Sequence, residues 1–342
     1  MFFETAFNFL LFFLSKRVFY KAFMASFERL YRMMADAKTI IITGHVEPDP
    51  DCYGCQIGLR NLLRIRFPEK KILAIGSGVP ALFPLISPMD EAVDEDFVGA
   101  LCILVDVSCL RRCEDPRVVN CATFLKFDHH DPNRHNEYFD GESYVDFHRV
   151  SCAELICDFG WYFDMEFDLI ACNALYIGMV TDSGKFCYFG TKPETFKAAA
   201  WLIKKGADPV KLFNVVYHET KQEKAYKKWM RTHARKCGHV AYIYAKERDY
   251  QVYGLDYQVA SSFVNAIAGC FDCKQYVYFC ERDPAFVKVE LRSNKRYPVQ
   301  PTAMKFGGGG HRYASGMELI DGKPTVEEVL NELNQVGCDV VE

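Results

Sequence analysis

The residue types best suited to chemistry gather in four short segments of the 342-residue chain. The first, Gly44–Gly54 (GHVEPDPDCYG), follows the apolar run TIIIT and sets His45, Asp49 and Asp51 in one loop. The second is Asp106, which ends the run LCILVD, and the third is Asp128-His129-His130-Asp131 after ATFLKF. The fourth is Asp182 in GMVTDSGKF, at the end of an apolar helical stretch. One aspartate in such a place is a cap or a turn residue. Four segments that each bring carboxylate or imidazole to the end of an apolar element are hard to explain that way. Burying so many like charges without a cation is prohibitive, whereas divalent metals neutralise them. His45, Asp49, Asp51, Asp106, His129 and Asp182 supply about the ligands that two closely spaced metals sharing one carboxylate require. Mixed oxygen and nitrogen donors suit two Mn²⁺, with Mg²⁺, Co²⁺ or Zn²⁺ as substitutes. Metals roughly 3.5–4 Å apart favour in-line attack on phosphorus and stabilise the leaving oxygen. Phosphoester hydrolysis is the expected reaction class.

The elements that must position these groups follow from hydrophobic patterning. Thr39–Thr43, Lys71–Ile75, Leu101–Val105 and Thr123–Phe127 read as buried strands, and Tyr53–Arg66, Cys152–Tyr162, Leu169–Thr181 and Pro193–Lys205 as helices. Strand-helix alternation implies an α/β domain with a mostly parallel, Rossmann-like sheet covered on both faces. Ligands bind such sheets at the carboxyl ends of the strands, where these segments fall. Pro48 and Pro50 are expected to hold the first loop extended. Ser151 and Glu154 have capping-box spacing. A lysine- and arginine-rich run over 209–236 reads as a helical linker with a solvated face. Beyond it, strands around Val240–Tyr244, Gln275–Phe279 and Phe286–Leu291 and helices around Tyr257–Ala268 and Val326–Gln335 form a smaller α+β domain. The expected organisation is thus a catalytic domain over 24–208, the linker, and a substrate-binding domain over 237–342, with a cleft between the domains. Residues 1–23 form an apolar extension whose Lys16 and Arg17 follow the apolar stretch, the wrong order for a secretory signal.

Composition limits the partners. With 41 Lys and Arg against 45 Asp and Glu, the net charge is −4, so the chain lacks the basic balance that holding long nucleic acid requires. The fifteen cysteines are scattered, often in apolar runs, a pattern of buried thiols in a reducing, cytoplasmic setting. Cys52/Cys55 and Cys270/Cys273 lack a second pair at zinc-finger spacing. His135, His148, His218, His233 and His239 have no metal-type spacing to an acidic partner.

Taken in order, Gly44-His-x-x-Pro-Asp-x-Asp, Asp106, Asp128-His129-His130 and Thr181-Asp182-Ser183-Gly184 resemble the four motifs of the DHH phosphoesterase family. Leu291-Arg292-Ser293 and Phe306–Gly316 (FGGGGHRYASG) resemble its DHH-associated domain, and the resemblance spans roughly residues 38–320. Architecture and spacing are most similar to the nano-RNase and pAp-phosphatase branch. The resemblance implies that His45, Asp49 and Asp106 bind one Mn²⁺ and that Asp51, Asp106, His129 and Asp182 bind the other. It implies that His130 faces the scissile phosphate while Asp128 orients the imidazoles. Arg292 and Ser293, with His311 and the backbone of Gly308, Gly309 and Gly310, would hold the substrate's other phosphate. Cys52 and Cys55 stand where the family more often has Ala and Ser, which suggests sensitivity to oxidation or soft metals.

The expected activity is hydrolysis of very short oligoribonucleotides to 5′-mononucleotides and of pAp (3′-phosphoadenosine 5′-phosphate) to AMP. A cyclic dinucleotide or pApA phosphodiesterase keeps the same chemistry. A non-catalytic nucleotide or RNA binder is a different class, and it should have lost at least one of the six metal-type residues. The partners expected are a short RNA or nucleotide substrate and at most a second copy of the chain in a homodimer. Neither long duplex DNA nor stable membrane association is expected.

Overall fold

A computed structural model describes residues 25–130, 139–188, 190–293 and 296–337. The extension over 1–23 and His135 lie outside the described residues. The chain divides into two compact units, the first ending at His218 and the second beginning at Glu219.

In the first unit, β1 (Thr39–Thr43), β2 (Lys71–Ala74), β3 (Leu101–Val105), β4 (Thr123–Asp128) and β5 (Glu142–Val145) form one sheet in the order β2-β1-β3-β4-β5. Every neighbouring pair is parallel. The chain leaves β1 toward β2 on one side and returns to β3 on the other. This reversal opens a crevice at the carboxyl ends of β1 and β3, where His45 and Asp106 emerge. β5 was not expected, since ESYV is short, half-exposed and lacks a hydrophobic run.

Alternation along the strands assigns each side chain to a face. Ile40, Ile42, Ile72, Ala74, Ile103, Leu125 and Phe127 share a core with the helix at residues 25–36 (α1) and with α2 (Pro50–Arg66), α3 (Cys152–Tyr162) and α4 (Leu169–Asp182). Ile41, Leu73, Cys102 and Leu104 face the other way, onto Phe97, Val107, Val118 and Cys121. That second layer is carried by single-turn 3₁₀ segments such as Asp94–Asp96 and Pro116–Asn120 rather than by α-helices. α5 (Pro193–Lys204) and α6 (Pro209–Val216) complete the unit.

α2 begins three residues earlier than the apolar pattern indicated. Pro50 does not extend the loop: it occupies the first helical turn, where its missing N–H costs nothing and its fixed φ suits the helix, and the Asp49 side chain caps the amides behind it. Asp51 and Cys52 therefore stand on a helix start, not in a loop. α2 runs close against α4 because Gly54 carries no side chain, and a Cβ there would lie 2.2 Å from the Ala174 carbonyl oxygen.

The second unit contains a mixed sheet in the order β10-β11-β9-β8-β7-β6. Its strands are β6 (Arg235–Cys237), β7 (Val240–Ala245), β8 (Gln275–Asp283), β9 (Phe286–Ser293), β10 (Gly309–His311) and β11 (Ala314–Ile320). Only β7 and β8 pair in parallel. The stretch over 209–236, expected as one helical linker, holds α6 in the first unit and α7 (Lys221–His233) in the second, the latter started by a Thr220–Glu223 capping box. α8 (Glu247–Gln251) precedes α9 (Tyr257–Ser261), which stops short of the expected Ala268. The Ser261 and Ser262 hydroxyls bond back to the carbonyls of Gln258 and Val259, competing with helix continuation. The chain then makes a 3₁₀ turn that buries Val264, Ala266 and Ile267. α10 (Gln300–Lys305) and α11 (Val326–Gln335) follow. Among the described residues, no helix is long and apolar enough to cross a membrane.

Gly54→Ala should destabilise the chain by about 1–3 kcal/mol through overpacking against backbone that cannot move aside. Urea unfolding followed by circular dichroism checks this, and a midpoint equal to wild type would mean that α2 and α4 are not in close contact.

Candidate metal centre

β1, β3, β4, the start of α2 and the end of α4 each present one or two polar groups to the crevice. β1 leads through Gly44 to His45, whose Nδ1 lies 2.8 Å from the Val46 carbonyl and whose Nε2 lies 3.7 Å from Asp106 Oδ2. Asp49 is the N-cap of α2, its Oδ1 accepting from the amides of Asp51 at 2.9 Å and Cys52 at 3.0 Å. Asp51, fully buried, accepts from the amides of Cys152 at 2.7 Å and Ala153 at 3.1 Å, the first two residues of α3. One carboxylate thus ties the start of α2 to the start of α3, and the α3 dipole favours its charge.

Asp106 leaves β3 with φ of 54°, a left-handed conformation uncommon outside glycine. It is 3% exposed, and its Oδ1 is buried without a hydrogen bond of good geometry, 3.3 Å from His129 Nε2 and 3.6 Å from His130 Nδ1. His129 Nε2 is also 3.3 Å from Asp182 Oδ2, at the end of α4, while its Nδ1 faces the Arg149 carbonyl at 3.4 Å. Asp128, at the end of β4, accepts from the His130 amide at 3.1 Å and from its Nδ1 at 2.7 Å, which fixes that ring.

The electrostatics are those of charges crowded together. Burial and the neighbouring Asp182 and Asp106 carboxylates raise Asp51 well above the usual carboxylate range. Asp49 is exposed, yet the protein packed around it, with Asp182 and Asp106, pushes its pKa up to about 7. Burial disfavours the imidazolium of His45, but Asp106 outweighs it and the pKa rises to about 9. The same opposition of burial against Asp106 and Asp182 raises His129. Asp106 answers in the other direction: burial would raise it, but His129 and His45 hold it well below the usual range.

Donor atoms that lie within 4.8 Å of one another form three groups suited to a metal ion: His45, Cys52 and Asp106; Asp106, His129 and His130; and Asp51, His129 and Asp182. Shared Asp106 and shared His129, a carboxylate oxygen lacking a good donor and four crowded carboxylates fit a pair of divalent cations. The sequence-derived set His45, Asp51, Asp106, His129 and Asp182 meets here, and Asp49 stands at the same helix start. His148, His218, His233 and His239 join no such group among the described residues. The sequence flagged Cys52 and Cys55 only for sensitivity to oxidation or soft metals; the nearness of Cys52 to His45 escaped it, because that depends on where α2 begins.

Behind His129, Arg149 contacts Asp158 and lies 3.6 Å from Asp146 and 3.8 Å from Glu154. The expected capping box is half formed. Ser151 Oγ accepts from the Glu154 amide, but the Glu154 carboxyl is buried beside Arg149 and Thr195, with Oε1 taking no hydrogen bond, and burial raises its pKa.

In the second unit, register sets His311 opposite Ala314 and Ala314 opposite Arg292, so β10, β11 and β9 place Arg292 and His311 in one cross-strand row. The Arg292 guanidinium is 3.0 Å from Glu290 and donates to the carbonyls of Leu291 and Ser315. Ser293 continues β9, its amide bonded to the Tyr313 carbonyl at 3.1 Å. The glycine run is not a loose loop. A Cβ at Gly308 would lie 2.2 Å from the Gly316 carbonyl oxygen, and Gly310 adopts φ of 125°. Gly309, by contrast, faces open space.

Crowded carboxylates and imidazoles at the switch point of a parallel sheet define a metal-dependent phosphoesterase, a hydrolase of phosphodiesters or phosphomonoesters. The family model "DHH family, N-terminal domain" matches residues 39–179 and the DHHA1 domain model matches 238–337. The chain belongs to the DHH family. It is 32% identical over 299 residues to the bifunctional oligoribonuclease and PAP phosphatase NrnA of Bacillus subtilis, covering 85% of this chain and 92% of that protein. A protein of the same name from Mycoplasma genitalium is 30% identical over 298 residues, 86% of this chain and 92% of that one. The solved structure of an exopolyphosphatase-related protein from Bacteroides fragilis has the same fold, with a TM-score of 0.78 at 22% identity over 91% of this chain and 95% of that one.

Asp49→Asn keeps an N-cap acceptor but removes one charge from the crowd. In chelator, it should stabilise the protein by about 1 kcal/mol, while shrinking the gain in stability that added Mn²⁺ gives wild type. Thermal unfolding with and without Mn²⁺ checks both halves, and a less stable metal-free variant would mean that the carboxylates do not strain the fold.

Proposed function

We propose that this phosphoesterase uses two Mn²⁺, with Mg²⁺ or Co²⁺ as substitutes, to hydrolyse very short oligoribonucleotides to 5′-mononucleotides and pAp to AMP in the cytoplasm. The observation that carries the reading is the meeting of His45, Cys52, Asp106, His129, His130, Asp51 and Asp182 in overlapping metal-type groups, in a chain similar to proteins named for both activities. Among the described residues the cysteines are mostly buried, which favours a reducing compartment.

His45, Asp49 and Asp106 would hold one cation, and Asp51, Asp106, His129 and Asp182 the other. When bound, such a pair neutralises the carboxylates, acidifies the attacking water and stabilises the charge that develops on the leaving oxygen. Asp106, within 4 Å of the imidazoles of His45, His129 and His130, would be the residue that both positions share. Asp128 holds His130 by its ring nitrogen and its amide, so that the imidazolium form of His130 would donate from Nε2 to the scissile phosphate. Water attacks phosphorus, the bond from phosphorus to the 3′ oxygen breaks, and the 3′ oxygen takes up a proton. The same bond is cut in pAp and in a dinucleotide, so one set of residues serves both. Residues 24–208 carry this chemistry and 237–342 select the substrate. Arg292 and Ser293, with His311 and the strand backbone at Gly308, Gly309 and Gly310, hold the nucleotide's other phosphate, Arg292 being pre-oriented by Glu290.

The test is hydrolysis, with Mn²⁺, of pAp, a 5′-phosphorylated diribonucleotide, a longer RNA, cyclic di-AMP and long single-stranded DNA. Turnover of the first two with little of the rest supports the proposal. Preference for cyclic di-AMP would move the protein to second-messenger breakdown. Asp106→Ala should lose activity on every substrate, and full activity in that variant would sink the two-cation reading.

Arg292→Ala should raise KM at least about tenfold for 5′-phosphorylated dinucleotides and pAp, with a much smaller effect on dinucleotides lacking that phosphate. Equal losses on both would place Arg292 outside phosphate recognition.

A further inference from the structure

Cys52 is the third residue of α2, two positions after Pro50. Side chains at a helix start lean toward its amino terminus, which here directs the thiol back over the end of β1. The space it fills exists because residue 44 is glycine, where a Cβ would stand 2.1 Å from Cys52 Sγ. One donor atom each from Cys52, His45 and Asp106 lie within 4.8 Å of one another. The thiol is held by a weak donation to Gln56 Oε1 at 3.9 Å, and Gln56 is anchored elsewhere, through Nε2 to the Ile75 carbonyl at 2.9 Å. Asp106, 3% exposed with an oxygen that lacks a good hydrogen bond, supplies a buried carboxylate at the same point.

We infer that Cys52 Sγ is a ligand of the first cation position, beside His45 and Asp106, and that it shifts the preference of this position toward Zn²⁺ or Co²⁺ relative to the sulfur-free second position, while Mn²⁺ can still occupy both. The inference rests on the reading of His45 and Asp106 as metal ligands. On binding, the Sγ–H bond breaks, an Sγ–metal bond forms and the proton passes to water. Thiolate is the softest donor in the centre, and a donor set of sulfur, nitrogen and oxygen favours borderline cations, whereas carboxylate and water suit Mg²⁺ and Mn²⁺. The group of Asp51, His129 and Asp182 contains no sulfur. The two positions therefore differ in kind: a softer one at β1 and α2, and a harder one between α2, β4 and α4.

The test uses the full chain stripped of metal, in wild-type, Cys52→Ser, Cys52→Ala, Cys55→Ser and Asp106→Ala forms, with circular dichroism to confirm folding. Co²⁺ titrated into wild type and Cys55→Ser should give visible ligand-field bands together with a near-ultraviolet thiolate-to-cobalt charge-transfer band. Both Cys52 variants should keep the ligand-field bands and lose the charge-transfer band. Their preference for Zn²⁺ over Mn²⁺, measured by competition, should fall on the order of tenfold. Ligand-field bands without charge transfer in wild type, or a charge-transfer band that survives in both Cys52 variants, would overturn the role of Cys52 while leaving the metal centre standing. Co²⁺ binding unchanged in Asp106→Ala would overturn the centre itself.

Discussion

Repulsion among four carboxylates at one edge of the first unit is the constraint on which its architecture turns. Asp49, Asp51, Asp106 and Asp182 arrive from the start of α2, the end of β3 and the end of α4, and Asp182 and Asp106 raise the pKa of both Asp49 and Asp51. The protein relieves part of this by means visible in its hydrogen bonds. Two amides at the start of α3 hold Asp51, two at the start of α2 hold Asp49, and the imidazoles of His45 and His129 face Asp106. None of these removes the charge. A fold that keeps acids so placed is less stable alone than with a cation bound, which ties metal affinity to folding.

Much of this was legible because apolar runs mark where strands end, and the acids sit at those ends. β1, β3 and α3 were read to the residue, each bounded by a clear cap or a clean run, and α11 was expected around the residues where it falls. What escaped has physical reasons. β5 is an edge strand of four residues with no hydrophobic run of its own, and pairing with β4 rather than its sequence makes it a strand. α9 ends early because Ser261 and Ser262 bond back to the helix, a local competition that apolar periodicity does not register. Glu154 has the spacing of a capping-box acid but is drawn inward by Arg149, a partner five residues earlier that the pattern cannot show. The candidate ligands were recoverable only as a set, since each aspartate alone has an ordinary role as a cap or a turn.

The second unit shows the same dependence on register. Four successive glycines suggest flexibility, but Gly308 meets backbone too closely for any side chain, and Gly309–His311 is a paired strand. The pairing of β10 with β11 and of β11 with β9 brings Arg292 and His311 into one row although 18 residues of chain lie between them. Glu290, two residues before Arg292 and so on the same face of β9, restrains the guanidinium. On the proposed reading, this pre-set planar donor would take the phosphate of a short substrate.

The start of α2 joins these arguments. Asp49, Asp51 and Cys52 all lie within its cap and first turn, and Pro50 fixes the backbone between them. Their side chains hold different parts of the centre: Asp49 keeps the helix start, Asp51 fastens α3, and Cys52 fills the space over Gly44. Exchange of Asp51, or of Asp49 for a residue that cannot accept, disturbs hydrogen bonds on which the start of α3 or α2 depends. Exchange of Cys52 for another small residue disturbs one weak bond to Gln56. Donor softness can therefore change at residue 52 while the fold and the remaining ligands stay fixed, so this position is where metal preference is most free to vary.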